Sequence, residues 1–331
     1  MSALAKRRPA TSNGALRARL VIGLVNNMPD GALQATERQF EALLGAAAGG
    51  EVSLRYLSLP EIERGEHARA HMRGRYAHID RLPAAGLDGL IVTGAEPQTA
   101  RLDDEAYWPT LARVIDWSQA AELPTVWSCL AAHAAVLRLD GVERRLMPAK
   151  RTGVFACAPA RRHALLAETP RPIAPHSRLN ELAESDLLPA GYQVLTRSPE
   201  IGVDLFVKPG PALSLFFQGH PEYAAETLLR EYLRDVGRFL RGEREIHPAP
   251  PAGYFDDATL SVLGELAARG EAARDPQRIA DYAGATEHAA PRASWRPWAI
   301  GIYRAWLEHI WARKAGRTAV RATGVLEAHA P

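Results

Sequence analysis

Residues 124–137 read PTVWSCLAAHAAVL, and this stretch decides the fold. Pro124 to Trp127 forms the apolar approach of a short buried strand, and Ala131 to Leu139 carries apolar residues at helical spacing. Between them stands Cys129. A cysteine at such a junction is a packed thiol, among the most buried of residue types, or a nucleophile on a strand–turn–helix bend. There the helix N-terminus favours the thiolate. The stretch alone leaves both readings open.

Outward from this element, strand-like runs alternate with helical patterns from about residue 19 to 240. RLVIGLVNN, EVSLRYLSL, LDGLIVTG and TVWSC read as strands, and ATERQFEALLGAA is a helix with Phe40, Leu43 and Leu44 on one face. GYQVLTRS, VDLFVKP and ALSLFFQGH are later strands, followed by the long helix AAETLLREYLRDVGRFLRG. Such alternation predicts an α/β fold, a mostly parallel sheet with helices on both faces. The domain scheme is a flexible basic tail over 1–18, a catalytic α/β domain over 19–245 and an excursion over 246–294. The excursion opens with HPAPPAGYFDD, whose three prolines break the pattern. A C-terminal helix over 295–316, carrying Trp306, Ile310 and Trp311, packs back on the main domain, and 317–331 form a loose tail.

The chain has 331 residues, 47% hydrophobic and 24% charged, which is ample for a globular core. A net charge of +2 gives no reason to expect nucleic acid as a partner. Basic residues near the start (Lys6, Arg7, Arg8) precede no apolar signal core, so they read as a frayed tail and not as a targeting segment. No apolar run approaches the ~20 residues of a membrane span. Cys129 and Cys157 are the only cysteines, which excludes a disulfide framework and suits a reducing, cytoplasmic setting. Cys157, in GVFACAPA, reads as a core thiol. The 11 histidines show no metal-ligand spacing, His176 standing alone before Ser177, and no metal is expected.

Open parallel sheets place their sites at the carboxyl ends of strands. Cys129 closes one strand there, TGAEPQ follows another, and His220 with Glu222 follows LSLFFQG. In GHPE the proline restrains the backbone between imidazole and carboxylate. An imidazole oriented by a carboxylate is the usual partner of an activated thiol. Alone, His220 reads equally as a hydrogen-bonded structural histidine; beside a cysteine at another strand end, the catalytic reading gains.

These motifs, with NNMPDGALQATERQF, LIVTGAEPQ, LMPAKRTGVF, PHSRLNEL, GHPEYAAETLLREYLRD and SWRPWAIGIYRAWLEHIW, resemble the homoserine O-succinyltransferase family over roughly residues 20–312. The resemblance implies a fold of the class I glutamine amidotransferase type, a flavodoxin-like three-layer arrangement. It makes Cys129 the acyl-thioester nucleophile, His220 the general base and Glu222 its partner. Lys150, Ser177 and Arg234 fall at its substrate-binding positions. Read alone, Lys150 is a surface lysine, and Arg234 a helix cation pairing with Glu231 or Asp235.

The resemblance further implies L-homoserine and acyl-CoA as substrates, no tightly bound cofactor, and a homodimer as one possible assembly. The chain departs from the family pattern at Leu130, after the nucleophile, and at Asp30-Gly31, where the family carries lysine. Oxyanion stabilisation then falls to backbone N–H groups near Leu130 and Ala95. Gln98 aligns with the position linked to acyl choice, where glutamate accompanies acetyl transfer and glycine succinyl transfer. An uncharged amide does not repel a succinyl carboxylate and can donate to it, which favours succinyl-CoA over acetyl-CoA. Serine as acceptor, a glutaminase-type amidotransferase and a non-catalytic binding module are the rival readings.

Overall fold

A computed structural model of the chain describes residues 17–287 and 294–327, with side chains up to residue 316. Its first half lays down β1 (Leu20–Val25), α1 (Asp30–Ala47), β2 (Val52–Ser58), α2 (Glu66–Met72), β3 (Tyr76–His78) and β4 (Gly89–Val92). After them come α3 (Trp108–Ala120), β5 (Thr125–Ser128) and α4 (Leu130–Asp140). The second half supplies β6 (Arg145–Ala156), β7 (Ala158–Pro159), β8 (Ile173–Glu181), α5 (Glu184–Leu187), β9 (Gln193–Ser198), β10 (Gly202–Lys208) and β11 (Ser214–Phe217). Four helices close the chain: α6 (Thr227–Leu240), α7 (Asp257–Ala272), α8 (Ile279–Thr286) and α9 (Arg296–Glu327).

Nine strands form one sheet in the order β3-β2-β1-β4-β5-β11-β10-β9-β7. From β3 to β11 every pairing is parallel, and β10, β9 and β7 add antiparallel pairings at the far edge. The mostly parallel sheet predicted from the alternation is therefore present. Side chains alternate across it with period two. Ile22, Leu24, Ile91, Val126 and Phe217 join α1 and α9 on one face, against Phe40, Leu43, Trp298, Tyr303 and Trp306. Val25, Val92, Trp127 and Phe216 turn the other way, onto Leu111, Ile115 and the alanines of α4.

Three segments differ from the sequence expectation. Arg17 is anchored, not loose: its guanidinium pairs with Glu308 and lies 5.0 Å from the Trp311 ring centroid, while Trp311 Nε1 donates to Ala18 O. The rest of the expected basic tail lies outside the described residues. The excursion after residue 246 holds two helices, α7 and α8, which bury Leu263, Leu266 and Tyr282 against Tyr232, Val236 and Phe239 of α6. At the other end α9 runs past Gly316 to Glu327, because this proline-free, alanine-containing segment has nothing that stops a helix.

The pattern also conceals a second, two-stranded sheet of β6 and β8. Both strands mix polar and apolar residues, so neither reads as a buried strand. Their antiparallel register places Thr152 opposite Ser177. The Pro-rich segment straps across β6: Ala252 N donates to Thr152 O, and Val154 N donates to Ala252 O. Gly153 makes this crossing possible, since a Cβ there would stand 2.4 Å from Ala252 O, and its φ of 147° suits glycine.

Candidate active site

Strand register brings the two halves of the site together. β5 and β11 are neighbours, with Ser128 opposite Phe217. The next residue on one strand is Cys129, and His220 comes three residues after Phe217 on the other. Cys129 N donates to Phe217 O at 2.8 Å, which pins the bend to β11. Cys129 sits at φ 53° and ψ −114°, a conformation costing a side-chain-bearing residue about 1–3 kcal/mol. It is the N-cap of α4, with its carbonyl accepting from Ala132 N and His133 N. The junction is therefore the sharp bend anticipated from the sequence, and the thiol is partly accessible.

His220 is held from several sides. Its backbone N–H donates to Pro175 O at 2.8 Å, and its ring stacks on Tyr223 at 4.2 Å. Nδ1 meets Glu222 Oε1 at 3.0 Å, and the ring interacts electrostatically with Cys129. Glu222 Oε1 accepts a second bond from Ser128 Oγ at 3.3 Å. Burial disfavours charge on His220, yet the sulfur of Cys129 and the carboxylate of Glu222 outweigh it and raise its pKa well above the ordinary histidine value. The proton is thus kept on the imidazole, an arrangement that stabilises a thiolate beside it.

The loop before His220 has no slack. Gln218 is fully buried, its amide donating to Leu182 O and Val203 O and accepting from Leu182 N. At Gly219 a Cβ would come within 2.9 Å of His176 Nε2, Asp204 Oδ1 and Pro175 O. His176 itself is buried against Asp204 at 3.1 Å.

Cys129, His220 and Glu222 open on a chamber of about 200 Å3 whose wall includes Ala95, Leu130, Lys150, Ser177 and Arg234. Lys150 comes from β6 and Ser177 from β8, so the small sheet overlooked in the sequence delivers both. Arg234 does pair with Asp235, as its surface reading holds, but it also faces the chamber. Asp235 is a buried carboxylate at 2.8 Å from Lys150, 3.0 Å from Arg234 and 3.1 Å from Arg244. Burial would raise its pKa; Lys150 and then Arg234 outweigh burial and hold it below the usual carboxylate range. Glu231 and Glu96 also act on Arg234, so charge at this wall is close to balanced, and Lys150 and Arg234 are its groups able to meet a carboxylate.

Glu231 is a lining residue that sequence reasoning missed. Its Oε1 accepts from Tyr223 O–H at 2.7 Å, while its buried Oε2 has no partner among the described residues. The i+3 spacing from Glu231 to Arg234, along one face of α6, was its available signal. At the other side of the chamber Gly94 abuts Leu130, a Cβ there falling 3.2 Å from Leu130 N. The loop bearing Ala95 thus lies against the first turn of α4.

Gln98 is not brought in. Glu96 and Pro97 line the chamber, whereas Gln98 is exposed, with its backbone N–H on Glu105 and its side-chain amide on Glu96 O. The carboxylate of Glu105 captures the loop and turns that side chain outward, so the direct contact with an acyl chain expected from the sequence is absent. Cys157 is buried, and burial pushes its thiol pKa up. Among the described residues no group of three or more His, Cys, Asp or Glu side chains could hold a metal, and no helix is long and apolar enough to cross a membrane.

A mostly parallel α/β sheet that brings thiol, imidazole and carboxylate together at its carboxyl edge defines a scaffold suited to covalent thiol chemistry. The family model for homoserine O-succinyltransferase matches residues 5–317. A homoserine O-succinyltransferase of Methylorubrum extorquens is 50% identical over 87% of this chain and 86% of its own length. One of Bradyrhizobium japonicum is 49% identical over 84% and 87%. A glutamine amidotransferase structure from Methylobacillus flagellatus aligns at 17% identity and a TM-score of 0.48, over 88% of this chain and 94% of that one. The chain belongs to the homoserine O-succinyltransferase family.

Proposed function

We propose that this protein transfers the succinyl group of succinyl-CoA to the side-chain hydroxyl of L-homoserine through a thioester on Cys129. The observation that carries the reading is Cys129, His220 and Glu222 brought together at a strained bend, facing a small chamber whose wall includes Lys150 and Arg234. Family membership supports the succinyl donor and the homoserine acceptor.

The Cys129 thiolate attacks the thioester carbonyl, and the oxyanion faces the N–H of Leu130 and the Ala95 loop. Collapse of the tetrahedral intermediate breaks the bond to the coenzyme A sulfur, which leaves with the proton of the His220 imidazolium. His220, now neutral, takes the hydroxyl proton of homoserine as that oxygen attacks the acyl-enzyme. A second collapse frees O-succinyl-L-homoserine, a precursor for methionine, and restores the thiolate–imidazolium pair. Glu222 holds the ring so that Nε2 faces the sulfur in both halves. The acceptor's carboxylate meets Lys150 and Arg234, with Ser177 beside them, and its ammonium meets the free Oε2 of Glu231. The cytoplasm is the setting we assign, because it keeps both cysteines reduced.

The test is a coupled assay with succinyl-CoA, acetyl-CoA, homoserine, serine and glutamine. Coenzyme A release that requires homoserine and is fastest with succinyl-CoA is the expected result. Ammonia release from glutamine, without acyl transfer, would overturn the proposal in favour of a glutaminase.

A further inference from the structure

The chamber at Cys129 is too small for a whole coenzyme A thioester, and a second cavity opens from it. This groove, of about 390 Å3, lies between the first turns of α1 and the face of α6 and shares Met28, Pro29, Glu96 and Arg234 with the chamber. Such a volume falls in the range of pockets that hold extended small molecules. Its α1 wall includes Gly31, Ala32 and Ala35, followed by Thr36 and Gln39, and a Cβ on Gly31 would meet nothing within 4 Å. Its α6 wall presents Arg230 and Arg238 on either side of Arg234. The spacing of four residues keeps the three on one face, with the outer two about 12 Å apart along the axis. Arg230 pairs with Glu226 and Arg238 with Glu96, both at 3.4 Å and both with acids that are about half exposed. Exposed pairs of this kind are weak and exchange readily for a phosphate, which arginine grips in two-pronged fashion.

We propose that the α1–α6 groove is the donor channel: it takes the pantetheine arm of the acyl donor along the small residues of α1, and Arg230 and Arg238 hold its phosphates. The assignment rests on the acyl-transfer reading above. Glu96 and Glu231 also border the groove. In this arrangement Glu231 belongs to the acceptor end, and Glu96 releases Arg238 when phosphate arrives.

The experiment compares two donors and one binding measurement in wild type, Arg230→Ala, Arg238→Ala and Ala35→Phe. Succinyl-CoA carries phosphates; succinyl-N-acetylcysteamine has the same thioester and none. Each arginine variant should lower kcat/KM for succinyl-CoA at least tenfold, change it less than about twofold for the truncated donor, and recover in part as lysine. Ala35→Phe, which fills the groove, should impair succinyl-CoA more than the truncated donor. Equal losses with both donors, or no loss with either, would overturn the channel. Calorimetric titration with free coenzyme A needs no turnover. Affinity that drops tenfold in the arginine variants of a protein showing no acyl transfer keeps the channel and sinks the acyl-transfer reading. Turnover in wild type with unchanged coenzyme A affinity in the variants sinks the channel and keeps the reading, and no binding to wild type also sinks the channel.

Discussion

Cys129 and Cys157 are the same residue in two opposite settings. Cys129 stands on a bend with positive φ, at a helix N-terminus, beside an imidazole held by a carboxylate. Cys157 follows the end of β6 with 3% exposure, and its thiol donates to the backbone oxygen of Phe155 at 3.9 Å. Burial raises its pKa, and the carboxylates of Asp204 and Glu200 add to the rise. The sheet thus places one thiol beside an imidazole that holds its proton and buries the other where ionisation is suppressed. Thiol reactivity is set by backbone position and neighbouring charge, not by residue type.

The contrast is broken most severely by deleting each sulfur. Cys129→Ala should reduce succinyl transfer at least about a thousandfold, as loss of a covalent nucleophile does. Cys157→Ala should leave transfer within about twofold and cost roughly 1 kcal/mol of stability, since it empties only a small buried volume. Comparable losses of transfer in the two variants would end the distinction.

The next effect separates the acceptor from the thiol. Arg234→Ala removes a charge-assisted contact worth about 1.5–3 kcal/mol, so kcat/KM for homoserine should fall at least tenfold while acylation of Cys129 proceeds as before. An unchanged homoserine dependence would return Arg234 to the role of a partner for Asp235.

The charge pairing at Cys129 can be sharpened by titration. In wild type the His220 ring should keep its proton at pH values where an ordinary histidine has lost it. In Cys129→Ala burial loses one of its two opponents, so NMR should show His220 deprotonating at lower pH than in wild type. Because its folded-state pKa is raised, the pair stabilises the fold fully below the ordinary histidine range. That contribution fades as pH rises through the folded-state value. The smallest effect is expected at Gln98, whose side chain lies outside the chamber. Gln98→Gly should alter the preference for succinyl-CoA over acetyl-CoA by less than about twofold. A larger change would show that the loop bearing Gln98 moves inward when donor binds.

Legibility followed the physics of burial. Strands β1, β4, β5 and β11 are covered on both faces, so they read as apolar runs, and their carboxyl ends gave Cys129 and His220 directly. β6 and β8 lie outside the main sheet and keep polar residues such as Lys150 and Ser177 on show, which erases the strand signal. The helices α7 and α8 were hidden behind the prolines before them. Asp235 was legible as a partner of the adjacent Arg234, but its pairing with Lys150 spans 85 residues and leaves no local trace. The outward direction of Gln98 was illegible for a related reason: the loop is turned by Glu105, seven residues on, and motif position alone carries no side-chain direction.

The central claim is that Cys129, and not Cys157, carries the acyl group between donor and acceptor. Intact-protein mass spectrometry after incubation with succinyl-CoA and no homoserine tests it directly. Wild type and Cys157→Ala should each gain one succinyl group, which homoserine then removes, and Cys129→Ala should gain none. A succinyl group that still appears on Cys129→Ala at the wild-type rate, and is still discharged by homoserine, would contradict the account.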